Sequence, residues 1–173
     1  MKLLLPPSRT VANAIGESAP IDHYTGTLYK ALGADHWSAA ERRWALAHLL
    51  IHDKGAGIVS AGSWEPASLA EEPAQRASRN QAAPQLLIDA RSSEYVRLVR
   101  PPAHAWSLRV VTAGEDGRRL AISHWNKFHK GVLAGALVRD RPRVRRMDDL
   151  LVWSDSVGIR LEQVGERQLD LMV

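Results

Sequence analysis

Residues 123 to 131 read SHWNKFHKG, and six of the nine can bind or move a charge. Ser123 and His124 follow a β-prone run, and Asn126 opens a segment with helical spacing. The free amides and dipole at such a helix start favour an anion. Lys127 and Lys130 stand three apart, so both ammonium groups lie on neighbouring parts of one helical face. His124 exchanges protons near neutrality, and a lysine amine is a nucleophile once it loses its solvation shell. Capture of a phosphate or carboxylate is the chemistry that this set suits. The same residues also describe an ordinary capped helix with solvated lysines.

DARSSEY supplies a second set. Asp89, at the end of an apolar run, can act as a base or orient a cation. Arg91 can fork onto a phosphate or carboxylate. Ser92 or Ser93 can cap the following helix, with Tyr95 one turn on from Arg91. The alternative is a salt bridge beside a helix cap. A third set is PPSRT, where Ser8 and Thr10 place hydroxyls in the loop after the first apolar run; ordinary turns use the same residues. His48 and His52 have i, i+4 spacing, but Leu49 and Leu50 stand where a metalloprotease helix carries its glutamate, and no metal site is assigned. GAGIVSAG lacks phosphate-loop spacing, because Lys54 precedes its glycines. No cofactor is implied.

The elements that must position these groups follow from pattern. KLLL reads as a buried first strand ended by Pro6 and Pro7, and is too short for the apolar core of a signal peptide. Thr27 to Leu32 reads as a short helix stopped by Gly33. Ser38 to Glu41 is a capping box, starting a helix over Ala39 to about Ile51 with Leu46, Leu49 and Leu50 as its stripe. A short strand lies within GAGIVSAG. Residues 63 to 84, rich in Ala, Pro, Glu and Ser, read as a flexible loop. Order resumes with a strand at Gln85 to Ile88, a hairpin about GEDG, and a helix from Asn126 to about Arg139. That helix is expected to bury Phe128, Val132, Leu133, Ala136 and Leu137. A short helix near Met147 to Asp155 and two strands, GIRLEQV and QLDLMV, close the chain. This intermixing predicts an α/β (mixed α+β) fold, a single compact domain over residues 1–173 with a mixed β-sheet flanked by helices.

The 173 residues include no cysteine, which excludes disulfides, thiolate metal sites and a cysteine nucleophile. Net charge is +4, but residues 91 to 146 hold thirteen Arg or Lys and four Asp or Glu, while the remainder is acidic. A basic middle on an acidic frame suits an anionic partner. No apolar run spans a bilayer, so the expected setting is cytoplasmic, without a membrane.

Singly these motifs are weak, but their order is specific. MKLLLPPSRT, YTGTLYKAL, LLIDARSSEY, ISHWNKFHKG and a closing GIRLEQVGERQLDLMV together resemble the YaaA family of peroxide-stress proteins. The likeness covers about two thirds of the chain. Position by position it matches Ser8, Thr10, Tyr29, Asp89, Arg91, Ser92, Tyr95, Ser123, His124, Asn126, Lys127, Lys130 and Gly131. The resemblance implies that these line one positively charged cleft, and that the protein binds DNA and limits oxidative damage to it. Two departures stand out. Arg9 replaces an acidic or lysine position in the opening motif. IHDKGAGIVSAGSWEPASLAEE stands where the family carries an arginine- and tyrosine-rich segment that resembles a DNA-binding element.

Two functions follow as expectations. One is a peroxide-stress protein that grips DNA or another polyanion in a basic cleft. The other is an enzyme acting on a small phosphorylated or carboxylated substrate in a specialised biosynthetic pathway. In that case Asp89, His124 and Lys127 are its chemical groups, and Ser8, Thr10, Tyr29, Arg91, Ser92, Tyr95, Ser123, Asn126 and Lys130 are its binding groups. The family likeness and the basic middle favour the first, and the enzyme is the alternative.

Overall fold

The computed structural model describes residues 1–12, 15–69, 85–115, 118–123 and 125–173. Nine described strands form one sheet in the order β4-β3-β2-β1-β5-β6-β9-β8, with β7 pairing on β6. β1 (Lys2–Leu5) lies between β2 (Leu49–Asp53) and β5 (Leu87–Asp89), parallel to both. β6 (Trp106–Ala113) runs parallel to β5 and to β9 (Gln168–Met172). Antiparallel strands finish the sheet. These are β3 (Gly57–Ser60) and β4 (Ser63–Pro66) beyond β2, β7 (Arg119–Ala121) on β6, and β8 (Leu161–Gln163) on β9.

The central strands are apolar at nearly every position because both faces are buried. Leu3 and Leu5 face the larger core, while Leu4 faces a smaller one with Leu50, Ile58 and Leu87. The larger core is roofed by α1 (Pro20–His23), α2 (Thr27–Leu32), α3 (Ala39–His48), α5 (Asn126–Asp140) and α6 (Met147–Ser156). α4 (Ser93–Leu98) follows β5, and its Tyr95 ring meets His52 of β2 edge to face.

Local signals set most element ends. Gly33 closes α2 in the left-handed conformation at φ 73°, with its amide donating to the Tyr29 carbonyl. The Ser38 amide donates to Glu41 Oε2 at 2.7 Å, and the Glu41 amide returns to Ser38 Oγ at 3.3 Å. α2 and α5 cross closely at Gly131, where an added Cβ would stand 2.2 Å from the Leu28 carbonyl oxygen.

Four expectations are corrected. α3 stops at His48, and Leu49 to Asp53 form β2, all buried. His48 and His52 therefore share no helix face, because the chain has become extended between them. Ser63 to Pro66, expected in the flexible loop, pair with β3 as an edge strand, while residues 70–84 of that loop lie outside the described residues. The buried face of α5 is Lys130, Leu133, Ala134, Leu137 and their neighbours, whereas Phe128 and Val132 are exposed. The close approach at Gly131 fixes which way that helix turns. No described helix is long and apolar enough to cross a membrane.

Candidate functional site

β1, β2 and β5 end side by side and in the same direction. The chain leaves β1 for β2 on one flank and later returns to β5 on the other. A crevice at the carboxyl ends of strands that part in this way is the usual ligand position in open α/β sheets. Pro6 to Ser8, Asp53 and Asp89 to Arg91 all meet that edge.

On the β5 side, Asp89 and Arg91 are buried and paired. Arg91 Nε donates to Asp89 Oδ1 at 2.9 Å and Nη2 to Oδ2 at 2.7 Å. The Arg91 amide also donates to Oδ1, at 3.0 Å. Arg91 Nη1 lies 3.2 Å from His52 Nδ1. A guanidinium can only donate, so Nδ1 accepts and the imidazole proton sits on Nε2. Burial, reinforced by the neighbouring Arg91 charge, holds the His52 pKa below its ordinary value, which keeps it in this neutral form. Nη1 reaches the Tyr95 carbonyl as well, at 3.5 Å. Arg91 is thus occupied on every edge, and its side chain is 0 % exposed.

Lys130 enters from α5. It is buried, and its ammonium makes no hydrogen bond or ion pair among the described residues. Burial pushes its pKa down to about 8, against the attraction of Asp89. Lys127, one position into the helix, is exposed. Ser123 is exposed, and the Asn126 side chain donates to the Ile122 carbonyl at 3.2 Å, tying the helix start to the end of the hairpin. His124 lies outside the described residues.

On the β2 side the expected residues divide. Ser8 Oγ accepts from the Thr10 amide at 3.1 Å, and the Thr10 side chain is exposed. Tyr29 is buried and donates to the Pro6 carbonyl at 2.9 Å, which pins the loop after β1 to α2. Ser92 occupies the cap position of α4 without a side-chain capping bond. The structure therefore joins Asp89, Arg91 and Tyr95 in one buried network and leaves Thr10, Ser92, Ser123 and Lys127 at the surface.

The same edge holds a cleft of about 300 Å³ that sequence pattern did not signal. Ser8, Val11, Ile15, His23, Tyr24, Asp53 and Lys54 line it. The Tyr24 hydroxyl donates to Asp53 Oδ2, and the amides of Gly55 and Ala56 donate to Oδ1 at 2.7 and 2.6 Å. Burial alone would raise the Asp53 pKa, but the backbone amides and the Tyr24 hydroxyl hold it below the usual carboxylate range. The His23 ring meets Tyr24 and Trp64 edge to face at 5.0 and 5.1 Å. His23 is 3 % exposed, and its Nδ1 has no hydrogen-bond partner among the described residues. An unmet buried polar atom of this kind costs about 1–3 kcal/mol. Gly26 lets this corner close, because an added Cβ would stand 2.0 Å from Ser8 Oγ.

A mixed α/β sheet with a buried carboxylate–guanidinium–imidazole network at its carboxyl edge defines the class of protein. No family model matches the chain. A UPF0246 protein of Corynebacterium glutamicum is 31 % identical over 161 residues, covering 83 % of this chain and 64 % of the relative. One of Corynebacterium efficiens is 34 % identical over 145 residues, covering 73 % of this chain and 59 % of the relative. The chain thus spans somewhat under two thirds of the length of the curated relatives it matches. It belongs, as a divergent member, to the UPF0246 family, which is the YaaA family that its motifs resemble.

Proposed function

We propose that the protein binds DNA, or another polyanion, across the carboxyl edge of its sheet, in the peroxide-stress role that its family resemblance implies. The supporting observation is the division of its cations. Arg109, Arg119 and Arg160 are committed to Asp170 and Glu162 at the far side of the sheet. Arg9, Lys54, Arg97, Arg100 and Lys127 are exposed and unpaired among the described residues. Of these, Arg9 and Lys54 sit in the loops that follow β1 and β2, at the carboxyl edge. Exposed cations there suit a phosphate backbone, and each phosphate neutralised releases counterion. Affinity for a duplex oligonucleotide, measured at about 50 and 200 mM salt, is expected to fall by tenfold or more. Alanine at Arg9, Lys54 and Lys127 together is expected to flatten that dependence. Absence of binding at the lower salt overturns the reading.

A second reading, an enzyme acting on a small anionic substrate, is favoured by Lys130. A largely buried amine, drawn towards Asp89 and with no hydrogen-bond partner shown among the described residues, suits proton transfer or attack on a carbonyl better than exposed Lys127 does. Turnover of compounds in a cell extract, followed by mass spectrometry, is expected to stop in Lys130→Ala and to persist in Lys127→Ala. Equal turnover in both variants rejects it.

A further inference from the structure

We propose that α4 is a strap at the carboxyl edge of the sheet, latched through Arg91 to His52 at neutral pH and released in acid. The strap itself is weakly held. None of its six residues is buried, and Ser92 makes no side-chain capping bond at its start. Short elements with few buried side chains open locally at small cost. Two ties hold its middle, and both pass through the same two side chains. The Tyr95 ring meets the His52 ring edge to face, with centroids 5.6 Å apart. The Tyr95 carbonyl accepts from Arg91 Nη1 at 3.5 Å. Val99, just beyond the helix, packs against the smaller core.

The latch is the contact between Arg91 Nη1 and His52 Nδ1, at 3.2 Å. The other guanidinium nitrogens are spent on Asp89, so Arg91 is anchored where it stands. An arginine only donates, so the contact exists only while Nδ1 carries a lone pair. Protonation of His52 sets two N–H groups and two positive charges against each other in a buried place. Because Arg91 is anchored, the imidazole and the Tyr95 ring against it must move.

The groups around His52 give the latch its direction. Arg91 opposes the proton, while Asp89 and Asp53 favour it. Asp89 is already bound by Arg91, and Asp53 by Tyr24 and two loop amides, so neither replaces the lost contact. Ile58, the cross-strand neighbour on β3, and Tyr95 on α4 bring no charge in acid. Burial and Arg91 outweigh the two carboxylates, and the folded protein resists the proton. Stability therefore falls as pH drops below 6.5, where the unfolded chain takes the proton first.

The inference rests on neither functional reading, and the full chain tests it without a ligand. Imidazole NMR is followed from about pH 8 to about pH 4, the range in which a histidine titrates. Hydrogen exchange is followed alongside at the Val96 and Val99 amides, which donate to the Ser92 and Tyr95 carbonyls. At the alkaline end His52 is expected to carry its proton on Nε2. Its midpoint is expected below 6.5. Protection of both amides, corrected for the intrinsic pH dependence of exchange, is expected to fall by about tenfold or more with that same midpoint. His52→Asn keeps an acceptor near the position of Nδ1 and takes no proton there, so its protection is expected to stay constant. Should that variant fail to fold, the parent protein decides, because loss of protection must follow His52 and no other histidine. A proton on Nδ1 at the alkaline end overturns the latch. So does protection that is constant through the His52 titration, or lost equally in His52→Asn.

Discussion

Asp89 holds Arg91 through two parallel hydrogen bonds of 2.9 and 2.7 Å in a setting where both side chains are almost wholly buried. The pair shares a turn of chain at the end of β5 and reaches across the sheet edge to His52 of β2. It therefore ties together two strands that lie on opposite sides of β1. Asp89→Asn leaves the guanidinium buried without a counter-charge, and is expected to destabilise the protein by about 3–5 kcal/mol. Asp89→Asn with Arg91→Met is expected to recover much of that loss, because removing both charges also removes the desolvation cost. Urea denaturation of the three proteins checks the order. Equal stability of the double variant and Asp89→Asn rejects it.

Gly131 is a steric requirement of the α2–α5 crossing. A Cβ there would stand 2.2 Å from the Leu28 carbonyl oxygen and 2.8 Å from the Ala31 Cβ. Backbone cannot rotate away as a side chain can, so Gly131→Ala must push the helices apart. Overpacking of this kind typically costs about 1–3 kcal/mol, despite the better helix propensity of alanine. α5 carries Lys127 and Lys130, so the same substitution is expected to weaken ligand or duplex binding along with stability. A thermal melt at or above that of the unsubstituted protein contradicts the steric account.

How legible these features were depends on the range of the interaction. Gly33, the Ser38–Glu41 box and the start of α5 at Asn126 are local signals, and each element end falls where those residues put it. The turn from α3 into β2 carries no such signal. Leu46, Leu49 and Leu50 fit a helical stripe as well as they fit a buried strand, and only pairing with β1 and β3 makes Leu49 to Asp53 extended. The cleft was hidden for the same reason. His23 and Tyr24 are some thirty positions from Asp53, and parallel pairing, which has no short-range sequence mark, brings them together. The Asp89–Arg91 pair was visible because its partners are two residues apart. Its third member, His52, was not.

The Tyr24–Asp53 hydrogen bond makes a pH prediction. The Asp53 pKa is held below 3.8 in the folded protein. The unfolded chain thus binds a proton more readily in that range, and the interaction stabilises the fold above the unfolded pKa. The stability is lost as pH falls through the folded value. Tyr24→Phe removes one donor to a charged acceptor, worth about 2 kcal/mol. The difference between the two proteins is expected to be full at pH 5–7 and to vanish in strong acid. Chemical denaturation across that range reads it directly, and a difference independent of pH rejects it.

Lys130 makes the opposite prediction on the alkaline side. Its pKa falls from 10.5 to about 8 on folding, chiefly through burial. Between those two values the unfolded chain holds the proton and the folded chain has released it, so stability rises with pH across that window. Below it the folded protein carries a buried charge at a cost of up to about 3 kcal/mol, taking about 1.4 kcal/mol per pH unit. Lys130→Met has a similar shape and no charge. It is expected to be more stable than the parent protein at pH 7, with the advantage shrinking from pH 8 upward and disappearing above pH 10.5. Asp89 moderates the cost, so Asp89→Asn is expected to enlarge the advantage. Active sites commonly hold groups that cost stability. The same Lys130→Met protein is therefore expected to be the more stable one and the one that loses turnover of a small anionic substrate. If the variant keeps that turnover, or gains no stability at pH 7, the Lys130 amine is not the centre of the site.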